Sequence, residues 1–386
     1  MADSILVKVA LLSDCYLPRL GGIEVQVHDL AASLLASGHQ VEVFTATMGS
    51  GGEARGEVED LDGVPVHRMA VRMPGRLPVN PLAPSEVRRR LERRGFDVAH
   101  VHMGVVSPFA TDMAAVTLGL GLPTAITWHC VIDRSQPLFR RLGTARRWGQ
   151  RGAALSAVSG MARDRLRPVV GEDLDVRVLP NGIDPQAWRR PTGRPRPADG
   201  VVRIVTAMRL APRKRPRAVV ELVRQARELV PDGVPVHLEI LGEGSERGRI
   251  ERYLAKHELD WVQLPGRLTR PQLAERYWDA DLYVSPTRLE AFGLAALEAR
   301  SAGLPVVAFD GTGVDDFVEP ELSGARAADD DEMARQIARL VTDTALRGRM
   351  RRHNLTVPPE QSWPHVVQLV EQEYARARTL AHQAGS

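Results

Sequence analysis

Cysteine, lysine and long apolar runs are scarce in this chain of 386 residues, and each scarcity excludes a class of protein. The two cysteines, Cys15 and Cys130, are too few for the disulfide framework of a small secreted domain or for a cysteine-rich metal cluster. They therefore predict a reducing compartment. A net charge of +3 at pH 7 gives no support to a nucleic-acid-binding role, because it supplies no strong basic excess.

The apolar runs of the sequence are too short to cross a membrane. The run at residues 5–12 contains Lys8 and is not followed by the cleavage site of a signal peptide. It is also much shorter than the roughly 20 residues that a spanning helix needs. It predicts a first β-strand instead, and the expected location of the protein is the cytoplasm.

Short β-rich runs alternate with helical periodicity along the chain, which predicts βαβ units and parallel sheets. Gly21-Gly22 follows the first strand, and the apolar periodicity after it predicts a helix that ends at Gly38. Strands are predicted at residues 5–13, 41–45, 65–69, 98–102, 124–128, 155–158, 176–179, 201–207, 236–241, 262–264, 282–285 and 306–309.

A proline-rich stretch without periodicity, residues 189–200, is predicted to link two doubly wound α/β halves. The predicted domains are residues 1–190 and 200–360, followed by a C-terminal segment, 361–386, in which residues 363–381 form one helix. Ligands of such sheets bind at the carboxyl ends of the strands. Two halves that face each other would therefore create a binding cleft.

Two glutamates eight residues apart, Glu290 and Glu298, lie on either side of Gly293 at the predicted start of a helix. The free backbone N–H groups and the dipole at a helix start attract phosphate, and a glycine lets phosphate approach closely. The carboxylates can accept hydrogen bonds from sugar and ribose hydroxyls. This pattern is typical of a site for an anionic sugar nucleotide, and an ordinary surface helix with two acids is the alternative.

Arg209 and Lys214 follow the first strand of the second half, where a diphosphate would lie. An arginine and a lysine can together neutralise a leaving diphosphate. Lys214 is one of only three lysines among 51 basic residues, which favours a specific need for a compact ammonium group. A solvated basic turn is the alternative.

Gly21-Gly22 and two histidines are the corresponding features of the first half. The glycines allow close backbone approach at a helix start, as a phosphate or acceptor site requires, although a tight turn would also explain them. His102 ends one strand and His129 follows another, so both are expected at the carboxyl edge of the sheet. A histidine there can donate a hydrogen bond to a substrate, whereas a structural role is the simpler alternative.

Three further motifs are ambiguous. Gly242-Glu243-Gly244 resembles part of a dinucleotide-binding fingerprint, but Gly248 comes one residue too late to complete it. Asp279-Ala280-Asp281 is predicted to end a helix rather than to bind a metal, and the chain has no His/Cys cluster of zinc spacing. Residues 180–184 (PNGID) predict a turn between the halves that could also touch a ligand.

The ordered set of these motifs resembles glycosyltransferase family 4, the retaining enzymes of GT-B fold. The motifs that carry the resemblance are Gly21-Gly22-Ile23-Glu24, residues 97–102 (DVAHVH), residues 180–184, Arg209 with Lys214, Gly242-Glu243-Gly244, and Glu290 with Glu298. The resemblance covers nearly the whole chain. It implies two Rossmann-like domains facing each other across a cleft, with the C-terminal helix crossing back to the first domain.

The resemblance also implies a role for each matching residue. The catalytic set would be Glu290 and His129 on the donor sugar, with Arg209 and Lys214 on the diphosphate. The nucleotide side would further include Gly22, Gly242, the base-contacting backbone near Leu264, Pro265 and Gly266, the phosphate-binding backbone of Phe292, Gly293 and Leu294, and Glu298 on the ribose. The acceptor side would include Gly21, Glu24 and His102.

Family members need no metal and no cofactor, and the favoured mechanism has the leaving phosphate help to deprotonate the acceptor. This sequence departs from the family pattern at two positions. Met208 and Arg215 stand where glycines are usual, before the arginine and after the lysine. Neither change removes a charge, but both alter the backbone geometry that is expected of this loop.

The first half also resembles phosphatidylinositol mannosyltransferases and the GlcNAc-transferring enzyme of GPI-anchor synthesis. Those enzymes use GDP-mannose and UDP-GlcNAc, so the implied partners are a GDP- or UDP-linked sugar donor and a lipid, glycan or small-molecule acceptor. Two arginine-rich stretches, residues 88–94 and 140–151, would suit peripheral contact with an anionic inner leaflet. Such contact is worth roughly 1 kcal/mol per charge, and a solvated arginine face is the alternative.

Other classes of protein stay open at this point. A nicotinamide-dependent oxidoreductase predicts a full glycine fingerprint after the first strand, where only Gly21-Gly22 is found. A phosphorylase lacks an obvious pyridoxal lysine context. A sugar-nucleotide epimerase and a catalytically silent nucleotide-sugar-binding protein are consistent with the same motifs, and only turnover separates them from a transferase.

Overall fold

The computed structural model describes residues 6–19, 21–71, 80–133 and 136–385. Ile5, the start of the first predicted strand, therefore lies outside the described residues. The chain forms two compact units. The first combines the chain up to Gly182 with the segment from Trp363 onward, and the second is Ile183–Ser362.

The first unit contains one mixed sheet with helices on both faces. Its strands are β1 (Lys8–Ser13), β2 (Gln40–Thr45), β3 (Glu57–Leu61), β4 (Val64–Arg68), β5 (Val98–Met103), β6 (Thr124–Trp128), β7 (Ala154–Ala157) and β8 (Val176–Val178). Its helices are α1 (Gly22–Ala36), α2 (Ala83–Arg94), α3 (Pro108–Gly119), α4 (Gln136–Leu142), α5 (Thr144–Gln150), α6 (Gly160–Val170) and the C-terminal α13 (Trp363–Gly385).

The sheet of the first unit has the order β3-β4-β2-β1-β5-β6-β7-β8, and only β3 runs antiparallel to its neighbour β4. The strand order reverses between β1 and β5, so this is the switch point at which a doubly wound sheet binds ligands. Alternate residues of β5 enter the two faces: Ala99 and Val101 join the core under α2 and α3, whereas Val98 joins the core under α1 and α13.

Helix α13 returns to the first unit after the chain has traced the second. Its buried face contains Val366, Val370 and Tyr374, which belong to the same hydrophobic cluster as Val9 and Leu11 of β1. Burial of these apolar side chains stabilises the folded unit by about 25 cal/mol for each Å² of apolar surface that is removed from water. The C-terminal helix is thus an integral layer of the first unit rather than a free tail.

The second unit contains one parallel sheet. Its strands are β9 (Val202–Ala207), β10 (Val236–Leu241), β11 (Val262–Gly266), β12 (Leu282–Ser285), β13 (Val306–Phe309) and β14 (Gly324–Ala327), in the order β11-β10-β9-β12-β13-β14. Its helices are α7 (Pro216–Leu229), α8 (Arg247–Lys256), α9 (Arg270–Asp279), α10 (Leu294–Ser301), α11 (Asp330–Thr342) and α12 (Thr344–Thr356). The order reverses between β9 and β12, which defines the switch point of this unit.

The boundary between the units lies at Gly182–Ile183 rather than in the proline-rich stretch 189–200. That stretch is attached to the second unit. Trp188, directly before it, is buried, and its carbonyl accepts a hydrogen bond of 2.7 Å from Trp278 Nε1. Arg194 and Arg196 form ion pairs of 3.0 and 2.8 Å with Asp279 and Asp281.

Candidate functional site

The switch point of the second unit brings together two of the residues that the sequence singled out. The loops after β9 and β12 meet there, and Lys214 Nζ lies 2.5 Å from Glu290 Oε2 although the residues are 76 positions apart. Both side chains are partly exposed, at 35% for Lys214 and 18% for Glu290. An ammonium and a carboxylate that reach water at this edge can both contact a ligand.

The loop after β9 is held in place by its neighbour, the loop after β10. Met208 N donates to Leu241 O at 2.9 Å, and Leu210 N donates to Glu243 O at 2.9 Å. A Cβ on Gly242 would lie 2.0 Å from Met208 O, and a Cβ on Gly244 would lie 2.3 Å from Leu210 O. The two glycines are therefore required by close packing of the loops.

Arg209 lies in the same loop and is exposed. Its carbonyl accepts a hydrogen bond of 2.7 Å from Ala211 N. Within the described part of the chain no ion pair joins its guanidinium to Glu290, so the structure brings Lys214, but not Arg209, to that carboxylate.

Helix α10 begins at this switch point. Gly293 precedes it with φ +92° and ψ +49°, a left-handed conformation in which a Cβ would lie 2.6 Å from Val314 Cγ2. The first intrahelical hydrogen bonds run from Ala296 and Leu297 to Gly293 O. The residues before Ala296, among them Leu294, have no intrahelical acceptor for their N–H groups. These groups point out of the start of the helix, where the helix dipole is positive.

Glu298 lies on α10 and is buried, unlike Glu290. Tyr283 of β12 lies near both carboxylates. Its hydroxyl donates to Ala207 O at 3.2 Å, and burial, followed by the charges of Glu290 and Glu298, raises its pKa. The two glutamates therefore lie in the same region at the carboxyl end of the sheet. Glu290 is partly exposed there, and Glu298 is buried.

The predicted base-binding segment lies at the end of β11. The carbonyl of Leu264 accepts a hydrogen bond of 3.0 Å from Arg247 Nη2, and the carbonyl of Gly266 accepts one of 2.8 Å from Gly242 N. Gly266 has φ +89°. The segment is thus fixed against the loop after β10.

Phe292, which belongs to the predicted phosphate-binding set, is buried against Phe317.

In the first unit the two predicted histidines contact each other. His102 Nδ1 and His129 Nε2 share a hydrogen bond of 3.0 Å. His102 is buried, with 3% of its surface exposed, and its ring also lies 4.2 Å from that of His100. The structure therefore places His102 behind His129 rather than at the surface.

His100 is a residue that sequence reasoning missed. Its Nδ1 lies 3.1 Å from Tyr374 Oη on α13, and its Nε2 lies 2.7 Å from Thr127 Oγ1 on β6. The position on β5, two residues before His102 and therefore on the same face, was the available signal. His100 ties the row formed by His100, His102 and His129 to the C-terminal helix.

All three histidines of this row are neutral near pH 7. Burial lowers the pKa of His129 to about 4, against a smaller opposing effect of the Asn181 side chain. Burial, and then the charge of His129, lowers the pKa of His100 to about 3. The pKa of His102 is shifted in the same direction by burial and by its two neighbours. A neutral imidazole has one donor and one acceptor nitrogen, so His129 can orient a ligand but does not supply a positive charge.

The start of α1 is occupied by a side chain of the same helix. Glu24 is buried, forms an ion pair of 3.2 Å with Arg19 Nε, and would lie 2.4 Å from a Cβ on Gly21. The Glu24 carboxylate thus lies directly beside Gly21, and a larger residue at position 21 would displace it. A Cβ on Gly22 would meet no atom within 4 Å, so the surroundings of this glycine are open.

The Asp279-Ala280-Asp281 motif binds arginines and backbone. Besides its ion pair with Arg196, Asp281 accepts a hydrogen bond of 2.9 Å from Arg203 N through Oδ2. The motif ends α9 and leads into β12, as predicted. Its carboxylates hold the amino-terminal edge of the sheet, opposite the Lys214–Glu290 pair.

The arginines of the first arginine-rich stretch are largely paired with acids, whereas in the described part of the second stretch only Arg146 forms an ion pair. Arg89 and Arg90 contact Glu86, and Arg94 Nη1 lies 2.7 Å from Glu42. Arg146 forms two hydrogen bonds, of 2.6 and 2.9 Å, with Asp173. An open depression of about 570 Å³ is nevertheless lined mainly by arginines of α2. Among the helices of the described residues, none combines the length and the apolar character needed to cross a bilayer.

Two family models match most of the chain. The model of Glycosyltransferase Family 4 matches residues 20–187, and the model of Glycosyl transferases group 1 matches residues 194–355. The first match covers most of the first unit before α13 and extends a few residues past Gly182, and the second lies within the second unit.

Curated relatives have similar lengths. A D-inositol 3-phosphate glycosyltransferase of Pseudarthrobacter chlorophenolicus is 29% identical over 75% of this chain and 74% of its own. A GDP-mannose-dependent alpha-mannosyltransferase of Mycolicibacterium smegmatis is 28% identical over 82% of this chain and 83% of its own.

Solved structures share the fold. The Anabaena protein HepE, in a crystal structure with UDP and glucose, has a TM-score of 0.74 and 16% identity, and the match covers 96% of this chain and 99% of that one. At this identity the likeness concerns the arrangement of the chain alone.

Proposed function

We propose, from the premise that this chain belongs to glycosyltransferase family 4 and has the GT-B fold, that it transfers a hexosyl group from a nucleoside-diphosphate sugar. The transfer retains the anomeric configuration and uses no metal or cofactor. The acceptor is a lipid, a glycan or a small molecule with a free hydroxyl.

One observation carries this proposal: Lys214 Nζ lies 2.5 Å from Glu290 Oε2 at the switch point of the second unit, beside the start of α10. A bound diphosphate needs a cation and free N–H groups, and a bound sugar needs a group that accepts hydrogen bonds from its hydroxyls. The pair and the helix start supply all three at the edge where doubly wound sheets bind ligands.

The donor site that we propose lies in the second unit. Lys214 and Arg209 bind the diphosphate, and the backbone of Gly293 and Leu294 binds phosphate oxygens. Glu290 accepts hydrogen bonds from the sugar, and Glu298 from the ribose. Gly242, Leu264 and Gly266 shape the wall beside the base. The roles of Gly21, Gly22, Glu24, His102 and His129 in the first unit stay predictions.

The chemistry follows from charge rather than from an enzyme nucleophile. The bond between the anomeric carbon and the diphosphate oxygen breaks, and the acceptor oxygen forms a bond to the same face of that carbon. The acceptor proton passes to a departing phosphate oxygen. Negative charge develops on the diphosphate as it leaves, so Lys214, Arg209 and the helix start stabilise the transition state more than the ground state.

The identity of the nucleotide is proposed to be guanosine or uridine diphosphate. The mycobacterial relative is named for its use of GDP-mannose, and the Anabaena structure contains UDP and glucose. The Pseudarthrobacter relative is named for inositol 3-phosphate, which makes phosphorylated inositols the first acceptors to test.

Contact with an anionic membrane face is proposed as a peripheral property of the first unit. The arginines of α2 that line the open depression support it, whereas their ion pairs with Glu86 and Glu42 reduce the free positive charge. Equal binding to neutral and anionic vesicles at low salt would overturn this part of the proposal.

The test is a thermal-shift screen of UDP, GDP and ADP and their sugars, because a ligand that binds only the native state raises its stability. A shift with one nucleotide is expected, absent in Lys214→Ala and present in Lys256→Ala, which removes a lysine of α8. Transfer from that donor to an acceptor then separates a transferase from an epimerase and from a silent binding protein. No shift with any of the nucleotides would contradict the proposal.

A further inference from the structure

Arg215 has an unusual backbone conformation for its residue type. It precedes α7 with φ +56° and ψ +45°, in the left-handed region that glycine normally occupies. An L-residue with a Cβ is strained there, and such strain persists only where the surrounding structure determines it. The side chain of Arg215 therefore must make contacts that offset the strain.

Those contacts reach the carboxyl ends of three other strands, β12, β13 and β14. Arg215 Nη2 and Nη1 lie 2.6 and 3.1 Å from the two carboxylate oxygens of Asp330, the first residue of α11. Arg215 Nη1 also donates to Pro286 O at 3.2 Å, directly after β12. The guanidinium carbon lies 5.4 Å from the ring centre of Phe309, the last residue of β13. We call these residues, together with Arg288, the Arg215 cluster.

Arg288 completes the cluster from the loop that contains Glu290. Its Nη2 donates to Asp330 Oδ1 at 2.8 Å, and its guanidinium carbon lies 4.4 Å from the same Phe309 ring. One carboxylate thus binds two guanidinium groups, one from the loop after β9 and one from the loop after β12. Each guanidinium also lies over one aromatic ring.

The cluster flanks the Lys214–Glu290 pair in the sequence. Arg215 is the next residue after Lys214, and Arg288 comes two residues before Glu290. The loop that holds Lys214 and the loop that holds Glu290 are therefore joined three times: by the Lys214–Glu290 ion pair, by the hydrogen bond from Arg215 to Pro286 O, and through Asp330.

We infer that Arg215 is a positioning residue, which fixes the loop of Lys214 relative to the loop of Glu290. The effect of this positioning on catalysis rests on the proposed function: Lys214 would bind the diphosphate and Glu290 the sugar, so the distance between the two loops would set how the donor is held. Arg215 is not among the residues that we propose to bind the donor. It acts through Asp330 and Pro286 O, and it keeps the two charged side chains from spreading apart when a diphosphate competes for the lysine.

The main test is chemical labelling of Lys214, which needs no nucleotide. The chain has only three lysines, so an amine-reactive acylating reagent followed by peptide mass spectrometry reports Lys214 with Lys256 as internal reference. Arg215→Gly keeps the left-handed backbone and removes the side chain. Labelling of Lys214 should rise roughly threefold, as expected when a partly exposed ion pair is loosened.

Glu321→Gly is a matched control within the same unit. Glu321 also has a left-handed backbone, with φ +68°, and its carboxylate also forms two hydrogen bonds with an arginine, Arg339, at 2.6 and 2.7 Å. It lies before β14, at the opposite edge of the parallel sheet. This variant should leave Lys214 labelling unchanged.

Asp330→Ala and the double variant test the route of the effect. If Arg215 acts through Asp330, each single change raises Lys214 labelling and the double change adds little more. Once a donor is known, Arg215→Gly should also lower kcat/KM about tenfold, as misplacement of a charge contact predicts. Arg215→Lys should restore only part of it, because a lysine lacks the planar fork.

The outcomes separate this inference from the proposed function. Unchanged Lys214 labelling in Arg215→Gly overturns the positioning role, whatever the enzyme binds. Increased labelling in Arg215→Gly but not in Glu321→Gly supports it even if the unsubstituted protein binds none of the nucleotides, in which case only the transferase proposal fails.

Discussion

At the scale of single residues, the ion pair between Lys214 and Glu290 makes the two charges interdependent. Removal of either leaves the other unpaired at the edge of the sheet, and the proposed transition state loses one charge contact. Lys214→Ala and Glu290→Ala are each expected to lower the rate of transfer by more than about tenfold. The rate with a GDP- or UDP-sugar measures this.

The control for these variants is the double substitution. Because the two side chains contact each other, its effect should be smaller than the product of the single effects. Unchanged circular dichroism and melting temperature would show that the fold survives. Near-normal rates in both single variants would remove the assignment of the site.

Gly242 offers a second prediction at this scale. A Cβ at this position would lie 2.0 Å from Met208 O, and φ is +131°. Gly242→Ala should therefore lower the free energy of unfolding by about 2 kcal/mol or more, because the backbone contact cannot yield. Urea unfolding measures the change, and Gly22→Ala, where no atom lies within 4 Å, is the control that should change little.

The sequence identified Lys214 and Glu290 as separate candidates, and the strand order brought them together. Glycine at 242 and 244 was an ambiguous signal, and its cause is the approach of Met208 and Leu210 backbone atoms. The role of Arg215 was not predictable, because the partners of its side chain are distant in sequence, and Asp330, the carboxylate among them, lies 115 positions away.

At the scale of elements, the predicted strands of strong hydrophobicity agree closely with the observed ones, and β6, β10, β12 and β13 have the predicted bounds. Two strands were missed. β3 contains three acidic residues and lies at the exposed edge, where burial imposes no apolar pattern. β14 has the sequence GARA, and its backbone pairing with β13 rather than its side chains defines it.

The position of the boundary could not be predicted from composition either. Residues 189–200 have the prolines and glycines of a linker, but Arg194 and Arg196 bind acids at the end of α9 and directly after it. A sequence pattern of local flexibility is overridden here by ion pairs between residues about 85 positions apart.

Helix α13 depends on a buried polar contact for its attachment. Tyr374 Oη lies 3.1 Å from His100 Nδ1, and both residues are buried. Tyr374→Phe leaves that nitrogen without its partner, so the first unit should lose about 1–3 kcal/mol of stability. Urea unfolding checks this, and Thr379→Val, which removes an exposed hydroxyl bonded within α13, should cost much less.

At the scale of the whole molecule, the two units repeat one architecture and use it differently. Each has a switch point, between β1 and β5 in the first and between β9 and β12 in the second. The second combines a partly exposed pair of charges with a helix start. The first unit contains the histidine row. Among the described residues, every histidine whose pKa is lowered lies in this unit.

This asymmetry predicts how stability depends on pH. His100, His102 and His129 have a lower pKa in the folded state than the ordinary 6.5. Below about pH 6.5 the unfolded chain therefore binds more protons than the folded one, and each histidine costs about 1.4 kcal/mol per pH unit until its folded pKa is reached. The pKa of His67, buried beside Glu42 and Arg90, shifts in the same direction.

Asp14 opposes this loss. Burial raises its pKa to about 6, although the N–H groups of Phe109 and Ala110 and the Ser107 side chain lower it. Between its ordinary value of 3.8 and about 6, the folded state binds the extra proton, so acidification stabilises it. Burial also raises the pKa of Asp112 and of Glu373, so these carboxyls act in the same direction as Asp14. The four histidines outnumber the three carboxyls, and the net effect between pH 6 and pH 4 is expected to be a loss of stability.

Urea unfolding at pH 7, 6 and 5, with hydrogen exchange to assign the transition to a unit, measures this directly. The first unit should lose stability progressively below about pH 6.5. Asp14→Asn removes the opposing proton and should make the decline steeper, by up to about 1.4 kcal/mol per pH unit. A first unit that is equally stable at pH 7 and pH 5 would show that the histidine row is protonated without unfolding, and would remove the assignment of His129 as a neutral hydrogen-bonding group.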